Sequence, residues 1–190
     1  MLRITKLLAI SGSLRAASIN TALLRATARL APPGIAVILF EHLGGLPLFN
    51  PDIEATDSPS VANLRAHLAA ADGVLIASPE YAHGVTGVLK NALDWMVGSE
   101  AFVNKPISLF NASPRAVHAQ ACLRETLTVM SAQIVNEACV TLPMLGAQLD
   151  EAGIISHTEI SAALKQALQD FQAAIARLQA EDAAQIGMSL

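Results

Sequence analysis

The chain has 190 residues, 53% apolar, 15% charged and 4% aromatic, with a formal net charge of −4. That length and balance suit one globular domain, residues 1–190, with a core large enough to need no disulfide or metal staple. They argue against a disordered chain, and a negative balance with no basic stripe argues against nucleic acid as a partner.

The first residues, MLRITKLLAISGS, place one or two charges ahead of an apolar run, as a signal peptide does. The run is too short, and Gly-Ser-Leu-Arg follows it instead of a small-residue cleavage site. No apolar run reaches the ~20 residues that span a bilayer, so no membrane is expected and a cytoplasmic protein is. Lys6–Ser11 reads as a first buried strand, and Gly12–Asn20 (GSLRAASIN) as the loop after it. Thr21–Leu30 is a helix stopped by Pro32-Pro33-Gly34. Ile35–Phe40 is a second strand, and Glu41–Asp57 a long connection with Pro47 and Pro51. A second helix covers Val61–Ala71. Val74–Ala77 is a short apolar run with no polar interruption, as a strand buried on both faces requires.

That third strand breaks at Ser78-Pro79 and passes through a polar loop containing Gly84 and Gly87. Helical spacing resumes at Val88, with Leu89, Ala92, Leu93 and Met96 on one face. Ile107–Asn111 is a fourth strand, Ala116–Ser131 a helix and Ile134–Thr141 a fifth strand. Cys122 and Cys139 form no Cys-x-x-Cys pair and read as reduced thiols. Ser156-His157-Thr158-Glu159 has the form of a capping box, opening a helix with Ile160, Leu164, Leu168, Phe171, Ile175 and Leu178 in one stripe. Strands alternating with helices give a doubly wound α/β parallel sheet with helices on both faces. Five strands favour the flavodoxin-like order 2-1-3-4-5 over the six-stranded dinucleotide fold.

Candidate chemistry gathers at the carboxyl edge of that sheet. In the first loop, backbone N–H groups and a helix N-terminus converge with the hydroxyls of Ser13 and Ser18, the Asn20 amide and the Arg15 charge. A phosphate monoester suits these donors; alternatively Ser18 only caps the helix and Arg15 is a solvated charge. Neither a Walker A motif nor Gly-x-Gly-x-x-Gly is present. The second loop offers Pro79, Glu80, Tyr81 and His83, with Gly84 allowing a flat heterocycle to approach closely. On its own, Glu80 is more often a carboxylate at a helix N-terminus than a catalytic acid. In a third loop, Asn111 and Ser113 can bind a ligand or cap the next helix. The histidines show no metal-ligand spacing, and no nucleophile elbow occurs, so neither a metal site nor a catalytic side chain is expected.

Two of these stretches carry a resemblance. GSLRAASIN is similar to the Gly-Ser-x-Arg-x-x-Ser-x-Asn motif of the NAD(P)H-dependent FMN reductases, flavodoxin-like proteins that include quinone, azo-dye and chromate reductases. PEYAHGVTGVLKNALDW resembles their Pro-Glu-Tyr-Asn-x-x-x-Pro-Gly-x-Leu-Lys-Asn-Ala-x-Asp-Trp, and LPLFNPDIE is a weaker match to their Leu-Pro-x-Tyr segment. The resemblance implies a bound FMN. Its phosphate would lie on Ser13, Arg15, Ser18, Ile19 and Asn20, and its ring along Pro79, Glu80, Tyr81, Ala82, His83 and Gly84, beside Ser113. It further implies hydride transfer from NAD(P)H to a small-molecule acceptor such as a quinone, free flavin or azo compound, with ping-pong kinetics. A homodimer or homotetramer is expected, with Trp95 and Met96 either at the interface or in the core. Ala82 stands where Asn is usual, Thr86 where Pro is usual, and Ser113-Pro114-Arg115-Ala116 replaces a Gly-rich stretch. The alternatives are a flavodoxin-type electron carrier and a sensor that kept the fold without the cofactor.

Overall fold

The computed structural model describes residues 3–53, 58–144, 146 and 149–188. The end of the expected 41–57 connection, from Glu54 to Asp57, lies outside them, as does the last residue of LPLFNPDIE. The elements in order are β1 (Thr5–Ser11), α1 (Ile19–Leu30), β2 (Ile35–Leu39), α2 (Pro59–Ala70) and β3 (Gly73–Ala77). A two-stranded hairpin, β4 (Glu80–Tyr81) and β5 (Gly84–Val85), leads to α3 (Gly87–Val97). Then come β6 (Pro106–Asn111), α4 (Val117–Val129), β7 (Gln133–Ile134), β8 (Val140–Thr141), α5 (Glu151–Ser156) and α6 (Thr158–Met188).

The main sheet is parallel, in the order β2-β1-β3-β6, with β7 and β8 both on the outer edge of β6. This is the expected flavodoxin-like order, with the fifth position shared by two short strands. The interruption is a 3-10 turn at Asn136–Ala138. There the β6 edge is satisfied by side chains: the Ser108 hydroxyl donates to Ala138 O at 2.8 Å, and Leu109 N–H donates to Cys139 Sγ at 3.3 Å. Asn136-Glu137-Ala138 are poor strand formers inside an apolar run, which is why the fifth strand is not continuous.

Strand residues alternate between two cores, as the two-residue period requires. Leu7, Ala9, Leu75, Ala77 and Phe110 face the helices α1 and α6. Leu8, Ile10, Val74, Ile76, Ile107 and Leu109 face α2, α3 and α4. Gly73 lets α6 close on the start of β3, since a Cβ there would lie 2.8 Å from Ile175 and Phe171. The stripe Ile160, Leu164, Leu168, Phe171 and Ile175 is buried as expected. The capping box does not form. Glu151–Ser156 is a helix of its own, capped by Asp150, whose Oδ1 accepts from Gly153 N at 2.8 Å. Ser156 therefore ends α5, and His157 precedes α6 with its Nδ1 3.4 Å from Ile160 N.

Trp95 and Met96 are 3% and 1% exposed, so of their two expected roles the chain uses them in its core. Trp95 Nε1 donates to Pro47 O at 2.8 Å, Asn91 Nδ2 donates to the same oxygen at 2.9 Å, and Phe49 meets the indole edge-on. These contacts fasten the proline-rich connection onto α3.

Candidate FMN-binding cleft

Register fixes where the three loops meet. Ser11 of β1 pairs with Ala77 of β3, which pairs with Phe110 of β6, so all three strands end level. β1 and β3 are neighbours although their connections leave in opposite directions, the switch point at which open α/β sheets bind ligands.

The first loop folds by short-range bonds. Ser13 N–H donates to Ser11 Oγ, and Arg15 N–H to Ser13 Oγ, both at 3.4 Å. Ser18 is the N-cap of α1, its Oγ accepting from Thr21 N at 3.3 Å. No acidic residue occupies the first turn of α1, so its positive end stays open to an anion. Asn20 is only 4% exposed, yet its Oδ1 is buried with no hydrogen-bond partner among the described residues. A buried orphan of this kind costs free energy unless a ligand satisfies it. Its Nδ2 is not among the buried partnerless atoms and is the group able to donate into the cleft that Asn20 lines.

The second loop is locked to the first. A Cβ on Gly12 would lie 2.3 Å from Ser78 Oγ and 2.7 Å from Ser78 Cβ, so only glycine permits this approach. Thr86, 3% exposed, donates its hydroxyl to Gly12 O at 2.7 Å. The residue standing where proline is usual therefore ties the two loops by a buried hydrogen bond that proline cannot make. Between them, Ala82 and His83 form the hairpin turn with φ of 49° and 61°, the left-handed pair that a tight two-residue turn demands. Asparagine, the residue that the resemblance leads one to expect at position 82, suits that region better than alanine.

Glu80 is a helix-terminal carboxylate, though on a helix distant in sequence: its Oε2 accepts from Ala119 N, in the first turn of α4, at 2.8 Å. His83 stacks on His118 of the same turn, with ring centroids 4.3 Å apart. The third loop folds on its own side chains. Asn111 Oδ1 accepts from Ser113 N at 3.0 Å, and Ser113 Oγ accepts from Arg115 N at 3.2 Å.

The loops enclose a cleft of about 410 Å³. Ser13, Arg15, Ser18, Ile19 and Asn20 line one wall, Pro79, Glu80 and Tyr81 a second, and Ser113 a third. Ala82, His83 and Gly84 do not line it; they form the hairpin tip, with His83 turned to His118. Ser78, Asn111, Arg115 and Ala116 line it as well. Ser78 carried no sequence signal beyond ending a strand, whereas Arg115 was visible as the departure from the Gly-rich stretch. Arg15 and Arg115 are exposed and have no ion-pair partner among the described residues. The cleft thus offers an anion site at one end and a slot between backbone turns at the other, and both fit FMN.

Comparison with known proteins identifies the family. The family model for NADPH-dependent FMN reductase matches residues 5–145. The chain is 35% identical over 179 residues to an NAD(P)H-dependent FMN reductase of Pseudomonas aeruginosa, covering 91% of this chain and 96% of that protein. It is 33% identical over 189 residues to a probable NADPH:quinone oxidoreductase of Oryza sativa subsp. japonica, covering 94% and 96%. Among solved structures, the flavoenzyme NAD(P)H:(acceptor) oxidoreductase FerB of Paracoccus denitrificans superposes with a TM-score of 0.76 at 24% identity, covering 89% of this chain and 98% of that one; at that identity the likeness speaks for the fold. These matches along nearly the whole length show that this chain belongs to the NADPH-dependent FMN reductase family.

Proposed function

We propose that the cleft binds FMN, with its phosphate on the first loop and its ring between the second and third, and that a small-molecule acceptor such as a quinone or free flavin is reduced there. The chain is an NAD(P)H-dependent flavin oxidoreductase with FMN as cofactor and NAD(P)H as cosubstrate, as its family and its curated relatives indicate. The observation that carries the site reading is the open N-terminus of α1, with no acidic residue in its first turn and with Ser13, Arg15, Ser18 and Asn20 all on the cleft lining. When bound, FMN supplies the redox chemistry, accepting a hydride from the nicotinamide and passing two electrons to the acceptor.

The protein supplies placement. Ser13, Arg15, Ser18, Ile19 and Asn20 hold the phosphate through N–H, hydroxyl, amide and guanidinium donors. Pro79, Glu80 and Tyr81 form a wall for the ring, with Ser113 facing them from the third loop. Ala82, His83 and Gly84 set the pitch of that wall through the hairpin turn and its stack on His118. Tyr81, 58% exposed, stands at the mouth where donor and acceptor enter in turn, and a single mouth supports ping-pong kinetics. No side chain in the cleft is required as an acid or base.

Residues 1–190 act as one domain in this reading, in the cytoplasm. No helix among the described residues is long and apolar enough to cross a membrane. A homodimer or homotetramer is supported by the exposed apolar side chains of Leu48, Phe49 and Val97. The electron-carrier alternative is not favoured, because the family and the curated relatives are reductases. Anaerobic mixing of the FMN-loaded protein with NADPH tests the reading. The flavin's visible absorbance should bleach without any second protein and return on addition of a quinone; a flavin that stays oxidised until a reductase is added would replace the enzyme with a carrier.

A further inference from the structure

The charged side chains on the cleft lining are Arg15, Glu80 and Arg115. Glu80 is spent on Ala119 N–H, and Arg15 lies with the orphaned Asn20 on the loop that opens α1. Arg115 is left over. It is exposed, it sits on the third wall, and none of the ion pairs among the described residues includes it.

Its backbone is anchored by the turn that carries it. Ser113 N–H donates to Asn111 Oδ1 at 3.0 Å, Arg115 N–H to Ser113 Oγ at 3.2 Å, and Ala116 N–H to Ser113 O at 3.1 Å. Pro114 fixes the backbone torsion just before it. The backbone of Arg115 is therefore held at the cleft, and its side chain is exposed on the lining. Arg25 of α1 pairs with Glu41 at 3.2 Å.

We propose that Arg115 binds the 2′-phosphate of NADPH and makes this chain select NADPH over NADH. The inference rests on the FMN reading, because it assigns the first loop to the cofactor and leaves Arg115 for the cosubstrate. The two nicotinamides differ only in that phosphate, a group close to dianionic at neutral pH. A guanidinium pairs with phosphate oxygens through two parallel N–H donors. On a chain of net charge −4, one unpaired arginine at the mouth offsets repulsion that the extra phosphate would otherwise meet. Lysine would supply the charge without the fork.

The test compares FMN-loaded wild type, Arg115→Ala and Arg115→Lys. Readouts are kcat/KM with NADPH and with NADH, and calorimetric binding of 2′,5′-ADP against 5′-AMP. Wild type should favour NADPH by about tenfold or more, and Arg115→Ala should lower the NADPH-to-NADH ratio by about the same factor through the KM for NADPH. Arg115→Lys should fall between, and 2′,5′-ADP should lose its advantage over 5′-AMP in Arg115→Ala. A wild type with no NADPH preference overturns the proposal whatever the variants do. So does an Arg115→Ala variant that loses activity equally with both nucleotides, which would assign the side chain to the flavin. Flavin content read from the visible spectrum keeps the two readings apart: a colourless wild type defeats the FMN site, whereas yellow variants with an unchanged ratio defeat only the role of Arg115.

Discussion

At Asn20 the fold accepts a cost that a protein without a ligand has no reason to carry. An unsatisfied buried carbonyl oxygen costs about 1–3 kcal/mol, and Asn20 Oδ1 is such an atom. Replacing Asn20 with Ala should therefore leave thermal stability equal or slightly higher. It should weaken FMN binding by about tenfold or more, since the Asn20 Nδ2 would donate to the phosphate and a hydrogen bond to a charged group contributes roughly 1.5–3 kcal/mol. Fluorescence titration and a melting curve check both halves; loss of stability with unchanged affinity would make Asn20 a structural residue. Ala82 shows the opposite case, a residue less suited to its backbone than the one usually found there. At φ 49° an alanine bears left-handed strain of about 1 kcal/mol that asparagine partly escapes. Ala82→Asn should raise the melting temperature by about 1–2 °C, measured calorimetrically.

At the scale of elements, Lys105 couples α2 to the sheet. Its Nζ donates to Leu68 O at 3.0 Å and Ala71 O at 2.7 Å, holding the C-terminus of α2. Burial pushes its pKa below the ordinary 10.5, with the Asp72 charge opposing. Between the lowered folded value and 10.5, the unfolded chain holds more protons than the folded one, so stability gains from this group as pH rises through that window. Below the window both states are protonated and the contribution is flat. Urea unfolding from neutral pH to 10.5 should show this rise in wild type and not in Lys105→Met; parallel curves would remove Lys105 as the cause.

Elements also show what the sequence could reveal. The apolar runs of β1, β3 and β6 and the helical spacing of α3 follow from periodicity, because each element buries a whole face. The β4–β5 hairpin does not: its strands are two residues long, too short to show a period, and Ala82-His83 are not turn-favouring residues. Its place is set by Glu80 reaching Ala119 and Thr86 reaching Gly12, contacts with residues far along the chain. The split fifth strand depends likewise on Ser108 and Cys139 replacing ladder bonds, and α5 on an Asp150 cap inside a stretch without strong spacing. The walls of the cleft were legible in the first two loops through Ser13, Arg15, Ser18, Asn20 and Pro79–Tyr81. Ser78 and Ala116 were not, because their roles come from packing alone.

For the whole molecule, a parallel sheet whose central strands end level gathers three separate loops onto one edge. In the proposed reading that edge separates the task of holding an anion, given to a helix N-terminus, from the task of holding a flat ring, given to backbone turns. A ligand carrying both features gains from both, and a ligand lacking the phosphate loses the first. The most direct measurement is therefore the dissociation constant of FMN against that of riboflavin for the same apo-protein, by fluorescence titration. FMN should bind about 100-fold tighter or more, since several charge-assisted hydrogen bonds are made only to its phosphate. Equal affinity for the two, or no binding of either, would contradict a cofactor gripped at both ends.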